Sequence, residues 1–395
     1  MRPNADDDDD EPIRPVSFAA PDISEDDIQA VAEVLRSGWI TTGTQCIELE
    51  AQLAEYLGIA HVVTMSSCTA ALETAVAFLD LPPGAKVGVP TWTFVASAIS
   101  AVRNGLQPVL LDIDPNTLNL DAVALERALD DGLDAVIGVH FGGVAMDKSI
   151  HLLCESYGVA LVEDAAHALG ASDHRGIVAG QDTVGACFSF YATKNLTSGE
   201  GGALSTDNEE LANFARVYRN HGLSHDAWAR HDSNYPKGYD LLAAGIKGNL
   251  SDLLAALARS QLARFADLQD ERRTLVDRYR DNLAGTAVDF VPGEADPGAA
   301  NHLMVVLLPS GVERAAVMAS MLERGVSTSV HFQPLHTFPW FERHALLGPG
   351  GVPHADGLAP RAMSLPLHTC LDLADVDHVC EALTDAMAAM PGGAA

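Results

Sequence analysis

The chain has 395 residues, 48% of them hydrophobic, and a formal net charge of −30. That length holds one large and one smaller domain, and the charge excludes nucleic acid as a partner, since it would be repelled before contact. No apolar run reaches the roughly eighteen residues of a membrane span, the N-terminus is acidic where a signal peptide is basic, and the six cysteines form no CxxC pair, so a cytoplasmic protein with reduced thiols and no membrane contact is expected.

Residues 1–14, with Asp6 to Asp10 followed by Glu11, read as a self-repelling, disordered acidic tail. Ser24-Glu25-Asp26-Asp27 ahead of Ile28, Val31, Val34 and Leu35 predicts a capped amphipathic helix ending near Gly38. A second helix is expected over 46–57. Strands at 61–65, 86–89, 108–111, 135–139 and 159–163 then alternate with helices at 70–79, 94–103, 121–129 and 147–157. This βαβα series predicts an α/β fold, with a mainly parallel sheet covered by helices on both faces. The stretch 251–283, with Leu253, Leu254, Leu257, Leu262, Phe265 and Leu268 at helical spacing, reads as one long bridging helix. Beyond it, strands at 303–308 and 326–331 and helices at 313–324 and 375–390 predict a smaller α/β domain. The boundaries are set at 15–260 and 261–395.

In an open parallel sheet, ligands bind beyond the carboxyl ends of the strands. Ser66-Ser67-Cys68-Thr69 follows the first strand and opens a helix, which makes either a phosphate site or a simple N-cap. Asp164 closes an apolar strand ahead of Ala165-Ala166-His167; it either pairs with a protonated pyridine nitrogen or caps a helix beside a core histidine. Phe94, or Trp92 near it, stacks on a ring or packs in the core. Lys194 ends the aromatic segment Phe188-Ser189-Phe190-Tyr191-Ala192-Thr193, in a chain with only five lysines among its 24 basic residues. A desolvated lysine has a lowered pKa and attacks an aldehyde; the alternative is a snorkelling surface amine. Ser189, on the strand leading to Lys194, can turn its hydroxyl to the same phosphate. Phosphate donors, a ring stacker, a pyridinium partner and an imine-forming lysine together meet the needs of pyridoxal 5'-phosphate (PLP).

These residues lie in segments that resemble the DegT/DnrJ/EryC1/StrS sugar aminotransferases: 38–43, 66–72, Thr93-Phe94-Val95-Ala96, Val162 through His167, 188–195 with 199–202, Arg219-Asn220-His221-Gly222 and Ser364-Leu365-Pro366-Leu367. The resemblance runs from about residue 15 to 390. It implies the PLP-dependent transferase fold type I, like that of aspartate aminotransferase, with Lys194 joined to PLP, Asp164 on the pyridine nitrogen and Phe94 on the ring. It also implies Thr69 and Ser189 on the phosphate, at the turn formed by Ser67 and Cys68, and His167 near the phenolic oxygen. Members are homodimers with shared sites, so Asn249, in Gly245-Ile246-Lys247-Gly248-Asn249-Leu250-Ser251-Asp252, is expected at the neighbour's phosphate. Thr41 and His331 are expected to line the substrate pocket, with a satisfied structural histidine the alternative for His331.

The implied reaction transfers an amine from L-glutamate to a nucleotide-linked 4-keto-6-deoxy sugar. A 3-keto nucleotide sugar or a ketocyclitol is the alternative acceptor, and a non-catalytic PLP-binding regulator the alternative class. A sugar dehydratase of this family carries histidine in place of the lysine, so Lys194 speaks against that activity. Three departures from the family pattern bear on the site. Cys68 stands where glycine is usual, which requires a negative φ there; Gly248 replaces an aromatic residue and Ile246 a tyrosine or phenylalanine. His221, His225 and His231 fit no tight ligand spacing, and no metal is expected.

Overall fold

The computed structural model describes residues 15–224 and 239–390; the acidic run at 6–11 and both His225 and His231 lie outside them. The predicted capping box forms: Ser24 Oγ accepts the Asp27 amide, the Asp27 carboxylate accepts the Ser24 amide, and α1 (Glu25–Ser37) ends at Gly38 with φ 77°. Helix α2 (Thr44–Leu57) starts two residues earlier than expected. Its cap is remote in sequence, because the Asp252 carboxylate accepts the amides of Gly43, Gln45 and Cys46.

The alternation follows as β1 (His61–Met65), α3 (Cys68–Phe78), β2 (Lys86–Pro90), α4 (Val95–Arg103), β3 (Gln107–Leu111), α5 (Ala122–Asp130), β4 (Ala135–Val139), α6 (Lys148–Tyr157) and β5 (Ala160–Asp164). After the small hairpin β6 (Ser172–Asp173) and β7 (Gly176–Ile177) come β8 (Gly185–Ser189), β9 (Gly202–Thr206) and α7 (Glu209–Tyr218). The remaining strands are β10 (Asp289–Val291), β11 (Met304–Leu307), β12 (Leu346–Leu347) and β13 (Ala362–Leu365).

The large sheet runs β1-β9-β8-β5-β4-β2-β3-β12, and every pair from β8 to β12 is parallel. Covered on both faces, its central strands read as near-continuous apolar runs rather than alternating ones; all five residues of β4 are buried. Strand β9 is antiparallel to both β1 and β8, so β1 runs in the same sense as the rest. The carboxyl ends of β1, β2, β5 and β8 therefore open on one edge. The second sheet, β10-β11-β13, is antiparallel and packs with the helices Phe265–Asn282, Arg314–Glu323 and Leu373–Ala388 around Tyr279, Val306, Met321 and Leu383. The protein is thus α/β with a mostly parallel central sheet.

Two expectations fail for tertiary reasons. The helix expected over 251–283 is two, Asp252–Ala263 and Phe265–Asn282, broken at Arg264 with φ −112° and ψ 14°. The Arg264 guanidinium there binds Asp22 and Asp27 near the start of the chain. The strand expected over 326–331 is reduced to isolated bridges, Val326 to Val16 and Ser329 to Ser364. Two segments also cross between the cores: Val16 packs with the second sheet, while Leu335, Phe341 and β12 pack on the first.

Candidate active site

A cavity of about 390 Å³ opens at the shared strand edge. Nine residues singled out in the sequence line it: Ser67, Cys68, Thr69, Phe94, Asp164, His167, Ser189, Lys194 and His331. Thr41 and Asn249 do not. Thr41 is exposed and its carbonyl accepts the Asp252 amide, while Asn249 Nδ2 donates to Thr42 Oγ1 at 2.6 Å and its side-chain oxygen accepts from Lys247. This knot joins the loop before α2 to the segment before the helix Asp252–Ala263.

Lys194 lies in the turn after β8, where its amide donates to the Tyr191 carbonyl at 2.9 Å. Its amine is enclosed rather than snorkelling. Burial lowers the pKa to about 8, partly offset by the nearby Asp164 carboxylate. Lys194 Nζ lies 3.4 Å from His302 Nε2.

Asp164 ends β5. Ser97 Oγ donates to its Oδ2 at 2.7 Å, the Ala166 amide to Oδ1 at 3.1 Å, and the Cys68 thiol approaches Oδ1 at 3.8 Å. Both donors, the Ser97 hydroxyl and the Ala166 amide, are neutral, so this buried carboxylate suits a cation brought by a ligand. Its neighbour Glu163 points to the opposite face of the strand and meets His140, His151 and Arg175 at 3.1, 3.1 and 2.9 Å. Burial pushes the Glu163 pKa up, but hydrogen bonds from His140 and His151 and the charge of Arg175 outweigh it and hold the carboxyl below the ordinary range.

The end of the cavity at the start of α3 suits an anion. Ser67 caps α3, with its Oγ accepting the Ala70 amide at 3.1 Å, and the helix's first amides point into the site with the positive end of the dipole. Cys68 meets the backbone condition set by its side chain: it opens α3 and is absent from the positive-φ residues. Its thiol turns away from the turn to donate to the Cys187 carbonyl at 3.2 Å. Gly202 is required by close approach, since a Cβ there would lie 2.5 Å from both the Cys68 nitrogen and the Phe188 oxygen.

Between these ends stands an aromatic wall. Phe94 is 56% exposed and lies 5.8 Å from Phe332, which stacks at 5.8 Å on His167. Trp92, considered as another stacking residue, is fully buried, and its Nε1 donates to the His331 carbonyl at 3.1 Å; it belongs to the core. His331 stacks on Phe18 at 5.2 Å, bonds Ser364 Oγ through Nδ1, and is pushed by burial and the Lys194 charge down to about 4. Burial and Lys194 also hold His167 and His302 well below the usual histidine range.

Sequence reasoning missed His302, Ser97, Phe18 and Phe332. Ser97 stands one turn after Phe94 on an amphipathic helix, a placement that offered a signal. His302 lies in the segment just before β11 and offered none, because only folding brings it to Lys194. The donor set fits PLP: an anion end at α3, a carboxylate with neutral donors at β5, an exposed aromatic face and one enclosed amine between them.

The comparisons agree with that chemistry. The sequence profile of the DegT/DnrJ/EryC1/StrS aminotransferase family matches residues 21–384. The spore coat polysaccharide biosynthesis protein SpsC of Bacillus subtilis (strain 168) is 38% identical over 379 residues, covering 93% of this chain and 96% of the relative. Among solved structures, the aminotransferase TlmJ from Streptoalloteichus hindustanus superposes with a TM-score of 0.85 at 30% identity over 94% of this chain and 98% of that one. Spr1654 from Streptococcus pneumoniae, solved in a PLP-form and a PMP-form, has a TM-score of 0.85 at 28% identity with the same coverage. The chain belongs to the DegT/DnrJ/EryC1/StrS aminotransferase family and is a PLP-dependent sugar aminotransferase.

Proposed function

We propose that Lys194 carries the PLP and that the enzyme moves an amino group from L-glutamate to the keto group of a nucleotide-linked 4-keto-6-deoxy sugar. The observation that carries the reading is a single enclosed amine, Lys194 Nζ, in one cavity with a buried carboxylate, Asp164, whose donors are all neutral. When bound, PLP supplies an electron-withdrawing ring that stabilises negative charge on the substrate carbon. Asp164 holds a proton on the ring nitrogen. Lys194 would serve as the base and acid that moves a proton between neighbouring carbons without a second base, because an amine titrating near 8 exchanges protons readily at neutral pH. Ser67, Thr69, Ser189 and the amides of α3 hold the phosphate beside Cys68, and Phe94 covers one ring face.

The acceptor reading is supported by the apolar wall of Phe18, Phe332, Leu365 and Leu367, which excludes water and suits the methyl-bearing face of a deoxy sugar. His331, anchored to Ser364, lines the same wall. A cytoplasmic homodimer accounts for Thr41 and Asn249, which lie outside their own chain's cavity. SpsC is named for polysaccharide biosynthesis, and an amino-sugar donor for glycan or secondary-metabolite assembly is the matching product here. The test is stepwise. L-Glutamate added to the PLP-form should yield 2-oxoglutarate and the pyridoxamine form. The aminated enzyme is then offered 4-keto and 3-keto nucleotide sugars and ketocyclitols. No 2-oxoglutarate refutes the donor, and turnover of only a 3-keto sugar or a cyclitol refutes the acceptor.

A further inference from the structure

The residue after the proposed cofactor lysine is buried and oriented by its partners. Asn195 Nδ2 donates to the Ala300 carbonyl at 2.6 Å and to Gln269 Oε1 at 3.0 Å. Because Ala300 offers only an acceptor, turning the amide round would set two oxygens against each other. Asn195 Oδ1 therefore faces His302, and at 2.9 Å it accepts from Nδ1. A neutral imidazole carries one N–H, so with the proton on Nδ1 the lone pair sits on Nε2. That lone pair is 3.4 Å from Lys194 Nζ.

His302 is buried, packed at 4.4 Å against the His167 ring, and close to the charges of Lys194 and Arg272. Burial first and those charges second keep it neutral. We propose that His302, with its tautomer set by Asn195, is a positioning residue for transamination: its Nε2 accepts a hydrogen bond from Lys194 Nζ and aims the amine's lone pair into the cavity. A lysine at the end of a flexible stem loses efficiency in rotation about its last bond. Tying one N–H to a fixed ring removes that freedom before the reaction starts. His302 takes the hydrogen bond and not the proton, since Lys194 holds its own proton more strongly. The inference rests on Lys194 being the cofactor's lysine.

The test uses the full-length protein and three variants. His302→Phe keeps a flat ring without an acceptor, His302→Gln returns an acceptor oxygen near the place of Nε2, and Asn195→Leu removes the tautomer lock. Capture of pyridoxal phosphate by cofactor-stripped protein is followed by visible absorbance. Binding of 4'-deoxypyridoxine phosphate, which has no aldehyde, reports the integrity of the pocket alone. H302F should slow capture by about tenfold or more while analogue affinity stays within about twofold, and H302Q should recover most of the rate. In the wild type, ¹⁵N shifts of the His302 ring should show Nδ1 protonated, and N195L should show a mixture of tautomers. Capture by H302F at the wild-type rate, or a wild-type ring protonated on Nε2, overturns the proposal. So does an analogue affinity that falls in step with the capture rate. If H302F does not fold, the wild-type tautomer and the H302Q rate decide. Failure of the underlying reading is separately visible, because borohydride would then leave no cofactor attached to Lys194 in the wild type.

Discussion

At the scale of single residues, the site is a set of side chains whose charge states are set by burial. Lys194 titrates near 8 rather than 10.5, so capture of PLP by cofactor-free protein should rise with pH and level off above about 8, two units or more before an exposed lysine would. The same shift has a stability sign. Between about 8 and 10.5 the unfolded chain keeps a proton on Lys194 that the folded chain has lost, so this residue's contribution to stability improves as pH rises through that window. Lys194→Met should accordingly be more stable than wild type at pH 7, and urea midpoints should show the gap narrowing toward pH 10. Ser97 makes a hydrogen bond to a buried carboxylate, a contact of about 1.5–3 kcal/mol. Ser97→Ala is expected to lower kcat at least tenfold while the protein still binds PLP; unchanged kcat would remove Ser97 from any role in holding Asp164.

At the scale of elements, two features hold the strand ends in place. The phosphate end depends on β9 passing close beneath the start of α3, which only Gly202 allows. Gly202→Ala must push α3 away, and the expected result is a cofactor that washes out on dialysis, measured by residual absorbance, together with a lower melting temperature. Behind Asp164, Glu163 locks β5 to β4, to α6 and to Arg175 in the β6–β7 hairpin. Glu163→Gln leaves Asp173 as the remaining carboxylate on Arg175, beside the Gln181 carbonyl, a loss of roughly 3–5 kcal/mol for a broken buried pair. Because the Glu163 pKa is depressed, that stability is present above the usual glutamate range and fades only as pH falls well below it. Urea unfolding at pH 7 should show the full difference between the two proteins.

At the scale of the whole molecule, the exposed apolar residues Ile40, Leu241 and Leu242, at 50, 71 and 62% exposure, stand near the segments that carry Thr41 and Asn249. Exposed apolar side chains of this size are typical of a surface that another chain covers. On the proposed homodimer, Lys194→Ala and Asn249→Ala damage the same site from opposite chains. Each variant alone should be nearly inactive. Mixed dimers made by co-refolding should regain activity, because one of their two sites is intact; no recovery would mean that Asn249 acts within its own chain, and an active Asn249→Ala that it has no role.

What the sequence determined by itself was local chemistry and order. The capping box at Ser24, the alternation of apolar runs and helices, and the polar residues at or just past the ends of β1, β5 and β8 are short-range features, and the last of these located seven of the residues that line the cavity. Parallel strands connected through helices must open on a common edge, so residues far apart in the chain were legible as neighbours. Tertiary structure alone decided the rest. The break at Arg264 depends on Asp22 and Asp27, and the start of α2 on Asp252. His302 meets Lys194 across 108 positions of chain. Pairings of that kind are set by how two sheets pack, and no local pattern of propensity or spacing records them. The departure at Cys68, which in sequence threatened to crowd the phosphate turn, is accommodated by a helical backbone and a thiol turned toward Cys187. That outcome follows from backbone conformation, which the residue type constrains but does not choose.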